Sequence, residues 1–183
     1  MPRVRRGAIL GLDLSTRASA AICLPGGWKG DWLQMRELVV GLPLGKAATD
    51  HDRASRCETI AEQLVGFATD YHVSDCWIES YAYGMKTAAH TLGELGGVVR
   101  VELMRAGIRL HTANMSSARK LLLGGVPRGK GVAKQACLRA MVAAGMPLRG
   151  PKQVWLDLVD AFVAANLGLA DREGFCFAQN PVR

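Results

Sequence analysis

Apolar and polar positions follow a short period in the first quarter of the chain. Residues 8–15, 18–25 and 34–41 are apolar runs of strand length, each bounded by Gly, Pro or polar residues. We predict a strand for each run because all three are too short for a buried helix. Short connections join them, so the pattern favours an antiparallel meander.

From residue 52 to 71 the apolar positions recur at the spacing of one helix face, which predicts a helix. The same criteria predict further helices at 86–105, 116–123, 132–145 and 152–167, and further strands at 76–80 and 108–112. Ser116 or Ser117 is expected to cap the third of these helices at its start. Gly124 is expected to end that helix, and Gly168 to end the last one.

Strands first, then alternating helices and strands, predict an α/β fold around a mixed sheet. At 183 residues the chain has the length of one domain. We expect a core at about 8–168 and a C-terminal tail at 169–183. With 49% hydrophobic residues the composition is that of a globular protein.

The cysteines and the N-terminus bear on location. The five cysteines are odd in number and lack a CxxC pair, which favours reduced, buried thiols over a disulfide framework or a zinc site. The apolar stretch near the N-terminus is interrupted by Asp13 and Arg17, so it is too short for a signal peptide. No window reaches the length of a membrane span. We therefore expect a soluble, cytoplasmic protein of a bacterial or phage-infected cell.

Positive charge is concentrated in one part of the chain. The formal net charge is +7, and residues 100–152 hold eleven Lys and Arg residues against one acid, Glu102. A basic block within a folded domain is typical of proteins that bind nucleic acid. A solvated basic surface without a partner is the alternative.

Four acids lie at the end of, or within, segments that are otherwise apolar: Asp13, Glu79, Asp157 and Asp160. An ionised carboxylate is expensive to bury unless a positive charge compensates it. Taken singly, Asp13 is compatible with a turn residue and Asp157 with a first-turn acid facing the helix dipole. Asp160 lies too deep in its helix for that role, so it is the most informative of the four.

Should the four acids converge, their mutual repulsion requires a cation. Mg²⁺ prefers oxygen ligands and keeps several waters, so a carboxylate cluster in an open cleft suits it. Two such ions together can activate a water and stabilise the leaving oxygen in phosphodiester cleavage. The acids therefore indicate a two-metal site, although composition alone leaves it a hypothesis.

Other candidate groups carry less information. Tyr81 and Tyr83 follow Glu79 two residues apart and suit either stacking on unpaired bases or packing under a loop. The four histidines lack metal-ligand spacing. No Walker A, GxGxxG or GxSxG motif occurs, so no nucleotide cofactor and no serine hydrolase site is predicted.

The motifs, taken in order, resemble the RuvC family of Holliday junction resolvases, which have the RNase H-like fold. The matching pieces are GLDLS around Asp13, IESYAYG around Glu79, LGELGGVVRVEL at 92–103, and DLVDAFVAA around Asp157 and Asp160. IESYAYG with LGELGG is most similar to the phage-borne branch. GLDLS alone also resembles sugar kinases and actin-like ATPases, but those need two domains and a second phosphate loop.

The resemblance implies a five-stranded mixed sheet and a site in which Asp13, Glu79, Asp157 and Asp160 bind two Mg²⁺ ions, with Mn²⁺ as a substitute. It also implies a catalytic lysine at Lys120 or its neighbour Arg119, and a second basic position at Lys134. DNA-binding residues are then expected among the following: Tyr81, Tyr83, Arg119, Lys120, Arg128, Lys130 and Lys134. The family acts as a homodimer, with the long helix at 86–105 in the interface.

These features predict a metal-dependent endonuclease that nicks four-way DNA junctions symmetrically in recombination and repair. Binding of branched DNA through phosphates is expected to depend steeply on salt. Three alternatives remain open at this point: a broader nuclease that cuts Y-forks and flaps, a junction-binding protein that does not cut, and an RNA-cutting relative.

Overall fold

The computed structural model describes most of the chain. The described residues are 7–15, 18–42, 45, 47–79, 89–125, 131–147 and 152–175. Within them no helix is long and apolar enough to cross a membrane.

A five-stranded sheet forms the centre of the molecule. Its strands are β1 (Ala8–Asp13), β2 (Ala18–Leu24), β3 (Arg36–Gly41), β4 (Val73–Glu79) and β5 (Arg109–Ala113). The order across the sheet is β3-β2-β1-β4-β5. The first three strands pair antiparallel, whereas β4 and β5 run parallel to β1. The predicted mixed sheet with an antiparallel meander is confirmed.

Helices cover both faces of this sheet. They are α1 (Asp50–Asp70), α2 (Ala89–Arg105), α3 (Met115–Leu123), α4 (Val132–Ala143) and α5 (Lys152–Glu173). One core joins the sheet to α1 and α2 on one face, and a second core joins it to α3, α4 and α5 on the other. Alternate residues of each strand enter opposite cores, as the two-residue period of a strand requires.

The cap of α3 differs from the prediction. Asn114 is the N-cap, and its side-chain oxygen accepts a hydrogen bond from the backbone N–H of Ser117. Ser116 and Ser117, the predicted caps, lie inside the helix. Asn is as good an N-cap as Ser, so Asn114, directly after β5, can cap the helix earlier than either serine. Gly124 ends α3 in the left-handed conformation, as predicted.

The end of α5 also differs from the prediction. Gly168 does not stop the helix, which continues to Glu173. A Cβ atom built on Gly168 would lie 2.5 Å from the indole ring of Trp77, so the glycine allows close packing against β4. Since glycine in a strand or helix often marks such an approach, its place in the sequence alone could not separate the two roles. The predicted tail at 169–183 is helical up to Glu173.

A second glycine sets the distance between α5 and the central strand. A Cβ atom on Gly11 of β1 would collide with the carbonyl oxygen of Ala161 and lie 2.5 Å from the backbone nitrogen of Ala165. The α5 backbone therefore rests directly on β1. This contact fixes where the acids of α5 lie along the strand.

Polar contacts hold the other end of α5. Arg172 donates hydrogen bonds to Asp75 of β4 and to the carboxylate of Glu173, which also accepts from the backbone N–H of Gly27. Asp75 is 2% exposed and accepts two parallel hydrogen bonds of 2.8 Å from Arg109. Burial alone would raise the pKa of Asp75, but the hydrogen bonds from its neighbours outweigh it and lower the pKa below its usual range.

The described cysteines, Cys23, Cys57, Cys76 and Cys137, are free and buried, in agreement with the sequence.

Candidate active site

Two of the predicted acids meet at one edge of the sheet. Asp13 is the last residue of β1 and Glu79 the last of β4, and these strands are parallel neighbours with Leu12 opposite Ile78. Parallel strands place their carboxyl ends at the same edge, so the two side chains converge. A side-chain hydrogen bond joins them.

The second pair of acids reaches this edge from α5. Asp160 is 5% exposed, and Asp157, one turn earlier, is partly exposed. Neither lies in the first turn of α5, which has no acid, so the interpretation of Asp157 as a helix-dipole acid is wrong. The negative charges of Asp157 and Asp160 both act on Asp13.

The pKa values of Asp13 and Glu79 are raised by burial and by the neighbouring acids. Burial, followed by the charges of Asp160, Glu79 and Asp157, raises the pKa of Asp13 to about 7 against the opposing effect of Lys134. Burial and the charge of Asp160 also raise the pKa of Glu79. A carboxyl that titrates near neutral pH is typical of functional sites.

Two cations from the other helices enter the cluster. The guanidinium of Arg119 on α3 donates a hydrogen bond of 2.7 Å to Oδ1 of Asp160. The ammonium of Lys134 on α4 lies 2.6 Å from Oδ2 of Asp160 and 3.7 Å from Oδ2 of Asp13. Burial would lower the pKa values of both cations, but Asp160 outweighs it and raises them. Asp160 is thus paired with two basic residues from other helices, Arg119 and Lys134, which are distant from it in the sequence.

The two basic candidates on α3 occupy different positions. Arg119 contacts Asp160, whereas Lys120 is exposed at the surface of the helix. A catalytic role for Lys120 stays a prediction. Met115, Ala118 and Leu122 form the buried face of α3, and Arg119 stands one turn from Met115 along it. This helical spacing is a signal in the sequence that would have favoured Arg119.

The described residues of the predicted basic block do not form one surface. Arg105 pairs with Glu102 and Arg109 with Asp75, at the end of the sheet opposite the acids. Arg119 and Lys134 lie at the acidic edge. Four predicted DNA-binding residues lie outside the described residues: Tyr81, Tyr83, Arg128 and Lys130.

Whether these residues suit a metal depends on the donors and on their arrangement. Four carboxylates supply only oxygen donors, the set that Mg²⁺ prefers, and their mutual repulsion favours a cation. Among the described side chains, however, no three His, Cys, Asp or Glu residues are arranged as a metal site. In this arrangement Arg119 contacts Oδ1 and Lys134 contacts Oδ2 of Asp160. By their chemistry the four carboxylates suit Mg²⁺.

With this geometry in place, the chain can be compared with solved structures. Thermus thermophilus RuvC superposes with a TM-score of 0.62 at 15% identity, over 90% of this chain and 95% of the other. The chain has the RuvC-like fold. The same protein in complex with a Holliday junction substrate gives a TM-score of 0.59 at 14% identity, over 92% and 97% of the two chains.

A resolvase from yeast also superposes on the chain. The yeast mitochondrial Holliday junction resolvase Ydc2 gives a TM-score of 0.55 at 11% identity, over 87% of this chain and 76% of that one. By sequence, no protein-family model and no curated protein matches the chain. The predicted fold is confirmed by structure, and function has to be argued from the site.

Proposed function

We propose that this protein is a metal-dependent endonuclease that cuts four-way DNA junctions by paired, symmetric nicks. The observation that carries the proposal is the meeting of Asp13, Glu79, Asp157 and Asp160 at the carboxyl edge of β1 and β4, on a RuvC-like fold. A pure DNA-binding protein gains nothing from acids grouped beside a phosphate backbone. Such a group suits hydrolysis of that backbone.

The four carboxylates are the proposed ligands of two Mg²⁺ ions, for which Mn²⁺ can substitute. When bound, the ions supply an activated water and stabilise the oxygen that leaves the phosphorus. The chain positions the ligands through rigid elements: β1 and β4 hold Asp13 and Glu79, and α5 holds the other two. The packing of Gly11 against α5 keeps the two sets in register.

The basic residues provide the proposed contacts with DNA. Arg119 and Lys134 lie among the acids, where a scissile phosphate has to approach. The side chain of Arg119 is 22% exposed, so its guanidinium is partly accessible from outside the cluster. Lys120, exposed beside Arg119, suits a phosphate further from the site. Contacts of this kind fix the position of the duplex and carry little sequence information.

Paired nicks need two sites, and we propose that a homodimer supplies them. One face of α2 is open: Gly93, Gly97, Val101 and Met104 follow one another at helical spacing and are exposed. Val101 is 41% and Met104 61% exposed, and a Cβ atom on either glycine would meet no atom within 4 Å. Small and apolar residues on one exposed face suit close packing against a second copy of α2.

The test is cleavage of an immobile four-way DNA junction with Mg²⁺ by the wild-type chain and by Asp160→Asn. Wild type should nick opposing strands symmetrically. Asp160→Asn should bind the junction in a chelator and fail to cut it with metal. Asp171→Asn is the matched control, since it makes the same change at an exposed acid of the same helix, and it should cut like wild type.

Two results would contradict the proposal. Wild-type protein that binds the junction and never cuts it with Mg²⁺ or Mn²⁺ would indicate a binding protein. Equal cleavage by wild type and Asp160→Asn would show that the acid cluster takes no part in cleavage. Y-forks and flaps at the same salt concentration measure how narrow the substrate range is.

A further inference from the structure

Lys134 forms a bridge inside the acid cluster. Its ammonium lies 2.6 Å from Oδ2 of Asp160 on α5 and 3.7 Å from Oδ2 of Asp13 on β1. It is therefore the cation that joins the carboxylates of two different elements. A metal ion that bridges Asp13 and Asp160 would need the same place.

The ammonium and a metal ion compete for the space between the carboxylates of Asp13 and Asp160. Mg²⁺ keeps a near-octahedral shell of oxygen ligands and waters, which needs this space. An ammonium held 2.6 Å from Oδ2 of Asp160 and 3.7 Å from Oδ2 of Asp13 fills it and repels a second cation there. Lys134 therefore has to withdraw before an ion can bridge the two carboxylates.

Lys134 is the group that is able to leave. Its side chain is 24% exposed, so a path to solvent exists, and four rotatable carbons carry the charge. Arg119 holds the other oxygen of Asp160, Oδ1, through a planar guanidinium on a different helix. Departure of Lys134 therefore leaves Asp160 oriented by Arg119.

We propose that Lys134 is a placeholder cation, which occupies the metal position in the metal-free protein and turns towards the DNA phosphate when a metal ion displaces it. This inference rests on the proposed nuclease function. The displaced ammonium stays on α4 at the rim of the site, where it becomes available to a phosphate oxygen. Metal and DNA then favour each other's binding, and by linkage each raises the affinity for the other by the same factor.

The test measures Mn²⁺ binding to the metal-free protein by the electron paramagnetic resonance signal of free Mn²⁺. Lys134→Gln should bind Mn²⁺ about tenfold more tightly than wild type without DNA, because no competing charge has to leave. Lys120→Gln is the control: it removes the same charge from an exposed position on α3, and its affinity should stay within about twofold of wild type. Unchanged or weaker binding by Lys134→Gln overturns the inference.

A second measurement uses the wild-type chain and does not depend on how well a variant folds. Amine-specific labelling, followed by mass spectrometry, should modify Lys134 slowly in a chelator and several-fold faster with Mg²⁺. Lys120 should react at one rate in both conditions. A labelling rate of Lys134 that is the same in a chelator and with Mg²⁺ also overturns the inference.

The inference and the proposed function can fail separately. Asp160→Asn reports on the metal site itself. Loss of Mn²⁺ binding in Asp160→Asn, with Lys134→Gln equal to wild type, rejects the placeholder and keeps the metal site. Equal, weak binding by wild type and Asp160→Asn rejects both.

Discussion

The indole ring of Trp77, in the middle of β4, lies against the backbone of Gly168 on α5, so closely that a Cβ atom there would be 2.5 Å from the ring. Trp77 is 3% exposed and also stacks on the imidazole of His111, with ring centroids 4.0 Å apart. The tryptophan is thus enclosed between a helix and the edge strand. Neither neighbour leaves it room to shift.

Gly168→Ala should therefore destabilise the fold. Overpacking of a filled core costs about 1–3 kcal/mol, and a rigid indole places this position at the upper end. The measurement is the free energy of unfolding in urea. Gly66→Ala is the control, since Gly66 is exposed inside α1, one turn before its end, with open space around it. It should stabilise the protein by up to about 1 kcal/mol. Stabilisation by both changes would show that α5 can move away from Trp77.

A dependence on pH follows from Asp13. Its pKa is raised from 3.8 to about 7 in the folded protein, so the folded state binds more protons than the unfolded state between these values. Stability therefore falls as pH rises through this window, and the loss is complete above pH 7. Without metal, the free energy of unfolding of Asp13→Asn relative to that of wild type should rise by about 2–3 kcal/mol between pH 5 and pH 8.

Urea unfolding of both proteins at the two pH values, in a chelator, measures this difference. Asp70→Asn, at an exposed acid at the end of α1, should show no comparable change between the two. A stability difference between Asp13→Asn and wild type that is equal at pH 5 and pH 8 would contradict the raised pKa.

Asp75, at the end of the sheet opposite the acid cluster, allows stability to be tested separately from cleavage. Asp75 accepts hydrogen bonds from Arg109, Arg172 and Ser74 while almost fully buried. Asp75→Asn should lower the free energy of unfolding by about 2–3 kcal/mol, less than for a fully enclosed pair because Arg109 is largely exposed. Its junction cleavage per folded molecule should equal that of wild type.

The pH dependence of this loss has the opposite sign to that of Asp13. The lowered pKa of Asp75 means that its contribution is present above pH 3.8 and disappears only as pH falls through the lower, folded value. The deficit of Asp75→Asn should therefore persist at pH 5 and shrink in stronger acid. A deficit already absent at pH 5 would show that the network adds nothing.

Neighbouring basic residues on α3 should differ in effect. Arg119→Gln removes a donor inside the acid cluster, so cleavage should fall on the order of 100-fold. Lys120→Gln removes an exposed charge, so it should weaken junction binding. The slope of the logarithm of the binding constant against that of the salt concentration should fall by about 1. Cleavage at saturating enzyme should stay near that of wild type. Cleavage rates at saturation and a salt series of binding constants measure the two effects. Equal losses of rate would contradict the placement of Arg119.

The open face of α2 predicts the oligomeric state. Val101→Glu with Met104→Glu should convert the proposed dimer to a monomer, because each buries a charge in an apolar contact. Val142→Glu on α4 is the control, since Val142 is 41% exposed, like Val101. Light scattering after size-exclusion chromatography gives the masses. A double variant with the mass of wild type would place the interface elsewhere.

The sequence predicted the elements better than their ends. Hydrophobic periodicity identified the helices and strands, since burial on one face imposes it. It could not show that a helix continues through Gly168, because that depends on packing against Trp77, which is distant in the sequence. Nor could it pair Asp160 with Arg119 and Lys134, which come from two other helices. The acids were identifiable because a carboxylate in an apolar segment is improbable without a partner.

Helix α5 has 22 residues, a rise of about 33 Å from end to end. It carries two acids of the site near its start, while Arg172 and Glu173 tie its other end to Asp75 and to the turn at Gly27. The helix is thus clamped by these polar contacts at the end away from the acids, and it packs against Gly11 of β1 near its middle. The contact at Gly11 lies between the clamp and the acids, so weakening the clamp is expected to leave Asp160 in place. Variants at the opposite pole of the molecule are therefore expected to change its stability and to spare the arrangement of the acids.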